Sequence, residues 1–318
     1  MSAARLGLPD LGVGVGLRVP HYRYVVEQKP AMDFFEIISE NFMVDGGRPR
    51  HHLARVLEQY RVVQHGVSLG IAGPEPLDRE YLARLKRLVR EVKPPWLSDH
   101  FCWCGAGGAH LHDLLPIPYT RQAIARVVER AKQVQDFLEL PFALENTSSY
   151  LEFESSTLSE WEFIGEIAER ANIGILFDLN NVYVSAYNHG FDPYEFVECV
   201  PHERIVQIHL AGHTNLGDYI IDTHRGHVID EVWNLYRRTL ELTGPVSTLI
   251  EWDDEIPSFD VLVAEAEKAR TIRQRVLGGE RLEAIARGAP PRSAAPREDA
   301  HGWQQGGPRE TAHDGSTP

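Results

Sequence analysis

The segment 142-FALENTSSYLEFESSTLSEWEFIGEIAERANIGILFDL-179 reads as a strand, a helix and a second strand. FALENT (142–147) and IGILFDL (173–179) are short, mostly apolar runs, and each carries a carboxylate near its end. Between them, 158–171 has the 3.6-residue period of an amphipathic helix. Outward from this unit the alternation repeats. GVGLRV (14–19), FFEIIS (34–39), VVQHGV (62–67) and WLSDHFCW (96–103) precede it, and IVQIHLAG (205–212) and STLIEW (247–252) follow. Helix-like stretches at 49–61, 78–92, 120–138, 229–243 and 258–277 separate them. Eight strands alternating with helices predict an α/β fold, a (β/α)8 TIM barrel.

With 318 residues and 43% apolar content, the chain can build one large core. Residues 1–280 are expected to form a single barrel domain. Beyond residue 278 the sequence turns rich in Gly, Pro, Ala and charge, so 281–318 is expected to be a disordered tail. A formal net charge of -14 argues against nucleic acid as a partner. No stretch approaches the roughly 18 apolar residues of a membrane span, and no signal-peptide pattern opens the chain, so a cytoplasmic protein is expected. Cys102, Cys104 and Cys199 cannot supply a disulfide framework, and FCWC lacks C-x-x-C spacing; all three are expected to be ordinary semi-buried thiols. LGVGVGLR hints at a phosphate loop, but no helix is expected after it, and it reads better as a glycine-rich first strand.

Barrel enzymes place chemistry at the C-terminal ends of their strands. Those ends here carry His65, His100, Glu145, Asp178 with Asn181, His209 and Glu251, and the stretch 208-IHLAGHTNLGDYIIDTHRGH-227 adds Asp222 and His224. Each alone has a bland reading as a hydrogen-bonded core histidine or an ion-pair partner. Together, so many imidazoles and carboxylates in an apolar barrel mouth would be costly unless paired or bound to cations. Mixed donors of this kind suit iron, manganese or zinc rather than calcium. If the D-x-H segment is extended, Asp222 and His224 point the same way and address one ion. Glu145, Asp178, His209 and His213 are the candidate catalytic group. His213 and His227 remain open between structural, outer-support and substrate-facing roles.

The succession HGVSLGIAG, LSDHFCW, ALENTSSY, FDLNNVYVSAYNHGFDP, HLAGH, DTHRGHV and IEWD resembles the multinuclear non-heme iron-dependent oxidase family, which includes the methanobactin-biosynthesis oxidase, over about residues 10–275. The resemblance implies a barrel of the xylose-isomerase type. It implies two or three Fe(II)/Fe(III) ions per chain, with dioxygen as co-substrate. It also implies oxidation of a ribosomally synthesised precursor peptide, most often at Cys, aided by a separate small protein that recognises the leader peptide. By motif, His65, His100 and Glu145 resemble the ligands of one iron, Glu145, Asp178, His209 and Glu251 those of a second, and Asn181, Asp222 and His224 those of a third. Asp99 and His189 are candidate outer partners of these ligands. The competing expectation is a zinc- or manganese-dependent hydrolase or isomerase of the xylose isomerase and apurinic endonuclease barrel type.

Overall fold

The computed structural model describes residues 6–107 and 109–279. Eight strands close a parallel barrel: β1 (Val13–Gly16), β2 (Phe34–Ile38), β3 (Arg61–His65), β4 (Leu97–His100), β5 (Phe142–Glu145), β6 (Gly174–Asp178), β7 (Ile205–Leu210) and β8 (Ser247–Ile250). Pairing of Val15 with Ile250 joins β1 to β8, so the barrel has no free edge. All eight expected strands are present and parallel, in a (β/α)8 barrel of the xylose-isomerase type. The expected tail, 281–318, lies outside the described residues.

Helices coat the barrel: α1 (Tyr22–Gln28), α2 (Gly47–Leu57), α3 (Arg79–Val92), α4 (Arg121–Leu138), α5 (Glu160–Ala171), α6 (Leu179–His189), α7 (Pro193–Cys199), α8 (Asp230–Thr243) and α9 (Phe259–Leu277). Their starts obey local chemistry. Asp78 accepts the backbone N–H groups of Glu80 and Tyr81, and Ser159 and Glu162 form a reciprocal capping box. The sequence reading needs correction at three places. A helix, α1, does follow the glycine-rich strand. The stretch 49–61 stops being helical at Leu57, because the N–H groups of Gln59 and Tyr60 both turn back to the Val56 carbonyl and free Arg61 to start β3. Finally, β4 ends at His100, where the Cys102 N–H folds back onto the His100 carbonyl before the hairpin of Trp103–Ala106 and Ala109–Leu115.

The barrel interior is layered by the two-residue period of its strands. Phe34, Val63, Trp96, Ala143, Val206 and Leu249 pack together as an apolar floor. Two residues further along β2, β3 and β5, and just past the end of β8, stand Glu36, His65, Glu145 and Glu251, all buried. The same alternation that fills the floor with hydrocarbon therefore turns polar groups inward above it. No helix among the described residues is long and apolar enough to cross a membrane.

Candidate metal centre

His65 and His100 reach the mouth from adjacent strands, and in both rings an outer group restrains Nδ1. Nδ1 of His65 lies 2.8 Å from the Ser98 hydroxyl, and Nδ1 of His100 lies 3.2 Å from the Gly66 carbonyl. Their Nε2 atoms converge, 3.3 Å apart, and stand 3.2 Å and 3.3 Å from Glu145 Oε2. Glu145 Oε1 lies on the other side, 3.5 Å from His209 Nδ1. That nitrogen is also 4.0 Å from Asp178 Oδ2 and 2.9 Å from Glu251 Oε2. Two groupings thus share Glu145: His65, His100 and Glu145, and Glu145, Asp178, His209 and Glu251, each with donor atoms within 4.8 Å of one another.

Local chain geometry explains how Asp178 serves this place. It ends β6 and caps α6 with no loop between, and Oδ1 accepts the Asn181 N–H at 2.6 Å. The cap uses one oxygen and leaves Oδ2 buried without a hydrogen bond. Asn181 donates its amide to the Asn146 carbonyl at 3.0 Å and likewise keeps a buried, unpartnered Oδ1. Both Glu145 oxygens, His209 Nδ1 and His224 Nε2 also lack hydrogen-bond partners. Buried polar atoms are normally satisfied; here Asp178 Oδ2, Asn181 Oδ1 and both Glu145 oxygens make no hydrogen bond while His209 Nδ1 and His224 Nε2 face carboxylates at 2.9 Å, an arrangement that fits a site built for divalent cations.

The third grouping differs in detail from the expectation. His224 has left-handed backbone (φ 47°), so the D-x-H segment is not extended; the loop bends, and His224 Nε2 still meets Asp222 Oδ1 at 2.9 Å. The other ring nitrogen, Nδ1, lies 3.3 Å from Glu251 Oε2 and 3.4 Å from Asp253 Oδ2, so Asp253 joins His224 and Glu251 in a third set. Asp222 is fixed by the Asn180 amide at 2.9 Å and the Ser148 hydroxyl at 3.3 Å. His213 stands outside these sets, with Nδ1 2.8 Å from Asn180 Oδ1 and its ring stacked on Tyr183. His227 faces outward against Glu265, and His189 contacts Ser149. Asp99 accepts the backbone N–H groups of His100 and Leu69 and does not hold the His100 ring, a job done by Gly66. Cys102 and Cys104 are buried with their sulfurs 3.7 Å apart, whereas Cys199 is exposed.

Sequence reasoning missed Arg18, Glu36, Gln207 and Asp253. Arg18 is buried and clamps Glu251 at 2.9 Å and Asp253 at 2.5 Å. Only the RVP after a strand hinted at it.

The charges are strongly interdependent. Burial, then the neighbouring His100 and His209, hold His65 well below the ordinary histidine range. Burial pushes His100 down to about 4. Burial raises Glu145 to about 7, and burial with Glu145 and Asp222 nearby raises Asp178 well above the usual range. Burial alone would lower His209, but Glu36, Glu251 and Glu145 outweigh it and drive the ring well up. Burial would raise Glu251, yet His224, His209 and Arg18 pull it well down. Without cations, protons take part of the positive charge this site calls for.

A closed barrel whose C-terminal mouth gathers imidazoles and carboxylates around shared donor atoms is an enzyme scaffold with candidate metal sites. Residues 12–274 match the family of RiPP precursor modification enzymes MbnB/TglH/ChrH, which act on ribosomally made, post-translationally modified peptides, and the chain belongs to that family. It is 49% identical over 267 residues to a UPF0276 protein of Anaeromyxobacter sp. strain Fw109-5, spanning 84% of this chain and 94% of that one. A UPF0276 protein of Caulobacter vibrioides is also 49% identical, over 263 residues, spanning 82% and 94%. Among solved structures, D-psicose 3-epimerase with D-tagatose from Clostridium cellulolyticum H10 superposes with a TM-score of 0.55 at 12% identity, covering 84% of this chain and 99% of that one. The IOLI protein with a bound zinc atom gives 0.52 at 11%, covering 84% and 98%. These two share the barrel.

Proposed function

We propose that this chain is a multinuclear non-heme iron, dioxygen-dependent oxidase that modifies a ribosomally synthesised precursor peptide, most often at cysteine. One observation carries the reading: Glu145 is shared between two donor groupings and has both oxygens unpartnered. A carboxylate so placed could offer one oxygen to each grouping. His65, His100 and Glu145 would hold one ion, and Glu145, Asp178, His209 and Glu251 the next. His224 would hold a third with Asp222 and Asn181, or with Asp253. Iron bound there would supply one-electron chemistry with dioxygen and Lewis acidity toward a substrate thiol.

The protein's own part is to bind, orient and exclude water. Ser98 and Gly66 aim the two histidines. Arg18 and the Asp178 cap restrain two carboxylates before any ion arrives. His213, held through Nδ1 by Asn180, which also holds Asp222, would be the residue that moves a proton for the substrate. Exposed apolar side chains on the loop after β5 (Tyr150, Leu151, Phe153) and between β7 and α8 (Leu216, Tyr219) would suit a peptide substrate, and the Asp222 N–H donates to the Tyr150 hydroxyl at 2.9 Å. A separate leader-recognition protein and a cytoplasmic setting complete the proposal.

Elemental analysis with Mössbauer spectroscopy on iron-supplemented protein tests it. Two or three irons per chain, including a coupled pair, and dioxygen uptake with a Cys-containing precursor are expected. Stoichiometric zinc or manganese that iron does not displace would refute it in favour of the hydrolase or isomerase chemistry of related barrels.

A further inference from the structure

We propose that Glu36, on β2, is a positioning residue that decides which ring nitrogen of His209 carries the hydrogen, and so whether Nδ1 is free to bind in the metal pocket; the inference rests on the metal-centre reading above. Its basis is a chain of buried hydrogen bonds with little freedom in direction. The Trp96 indole N–H can only donate, and it donates to Gln207 Oε1 at 2.9 Å. That fixes the Gln207 amide, whose Nε2 must point the other way, 2.6 Å from Glu36 Oε2 and 2.9 Å from His209 Nε2. An amide nitrogen also only donates, so Glu36 Oε2 is an acceptor. The same oxygen lies 3.2 Å from His209 Nε2.

Two arrangements of the neutral ring are available. In one, Nε2 carries the hydrogen and donates to Glu36, and the lone pair on Nδ1 faces Glu145, Asp178 and Glu251. In the other, Nε2 accepts the second Gln207 N–H, and the hydrogen sits on Nδ1 and blocks it as a ligand. The competition takes place without solvent, since Glu36, Gln207 and His209 are at most 1% exposed. A carboxylate acceptor makes the stronger bond, so Glu36 selects the first arrangement. Gln207 alone would select the second. Glu36 therefore gives β2, which supplies none of the candidate ligands, a part in the site.

The test uses the full-length chain with ¹⁵N-labelled histidine rings, read both zinc-loaded and metal-free at a pH alkaline enough to leave the ring neutral. Wild-type His209 is expected to carry its hydrogen on Nε2 in both. Glu36→Leu is expected to move it to Nδ1 and to weaken zinc at the Asp178–His209–Glu251 side by about 10–100-fold, with zinc at His65 and His100 retained. Glu36→Gln keeps a carbonyl acceptor and should fall between, and it serves if the leucine variant does not fold. A wild-type ring with hydrogen on Nδ1, or wild-type tautomer and zinc affinity in the variants, overturns the proposal. An Nε2–H ring in a chain that takes up no metal supports Glu36's role and overturns the metal-centre reading instead.

Discussion

Glu145 contacts His65, His100 and His209 from one carboxyl group, which makes it the residue whose loss should reach furthest. Glu145→Ala is expected to remove metal from both groupings it joins and to lower peptide oxidation by more than the ~10–100-fold typical of outer partners. Asp222→Ala should cost one ion at most. Elemental analysis of the two variants side by side checks this, and equal metal losses would contradict it. Glu145 also sets a pH dependence. In the metal-stripped chain its folded value of about 7 lies above its ordinary 4.5. The stability it contributes is thus fully present below about 4.5 and lost as pH rises through about 7. His65 and His100 act in the opposite sense, but only up to about 6.5, where their unfolded rings stop taking up protons. The stripped chain should therefore melt at lower temperature as pH rises above about 6.5, with zinc restoring more at the upper end. A melting temperature that stays flat or climbs there, measured by calorimetry, would rule this out. At this scale the sequence was readable wherever a strand ended in His, Asp or Glu. Glu36 was not readable, because FFEII gives the same pattern whether its glutamate faces water or a buried ring.

Between β7 and α8, the loop bearing Asp222 and His224 closes over Gly212. A Cβ on Gly212 would sit 2.3 Å from the Arg225 carbonyl oxygen and 2.6 Å from that of Gly226, both backbone atoms of that loop. Gly212→Ala should lift the loop, lower occupancy of the His224 ion and reduce activity, while melting within a few degrees of wild type. Metal content and a thermal melt together decide it; wild-type metal content in a folded variant would show that the loop yields without consequence. Gly14 in β1 makes a contrasting case, because its Cβ would meet the Phe34 carbonyl 2.6 Å away inside the barrel wall. Gly14→Ala is expected to cost about 1–3 kcal/mol of stability, read from the denaturant midpoint. The elements themselves were legible where period and length agreed, as in α3, α4 and α9. Shorter pieces escaped: α6 starts on the residue directly after its strand, and the left-handed turn at His224 has no glycine at that position to announce it. Asp253 was missed for a related reason, since its closeness to His224 comes from loop closure rather than from strand register.

Across the whole molecule, the candidate ligands come from six of the eight strands and the barrel closes between its first and last. Ions bound there would tie distant parts of the chain together. Chelation should therefore lower the melting temperature cooperatively, and metal at 100 times its dissociation constant should return about 2.7 kcal/mol. Identical melts with and without chelator would argue against a structural contribution. The eightfold alternation was plain in the sequence because each strand and helix declares itself locally, whereas the order in which side chains meet across the mouth depends on closure. That closure has a consequence for biosynthesis. Glu251 and Asp253 follow the final strand, and β1 waits unpaired on one side until β8 is made. A ribosome-bound chain holding residues 1–240 would already carry His65, His100, Glu145, Asp178 and His209, yet have no finished cage to keep an ion. Loading should follow the making of β8 and the residues just after it, and a chain cut short before them should hold no ion at the shared site.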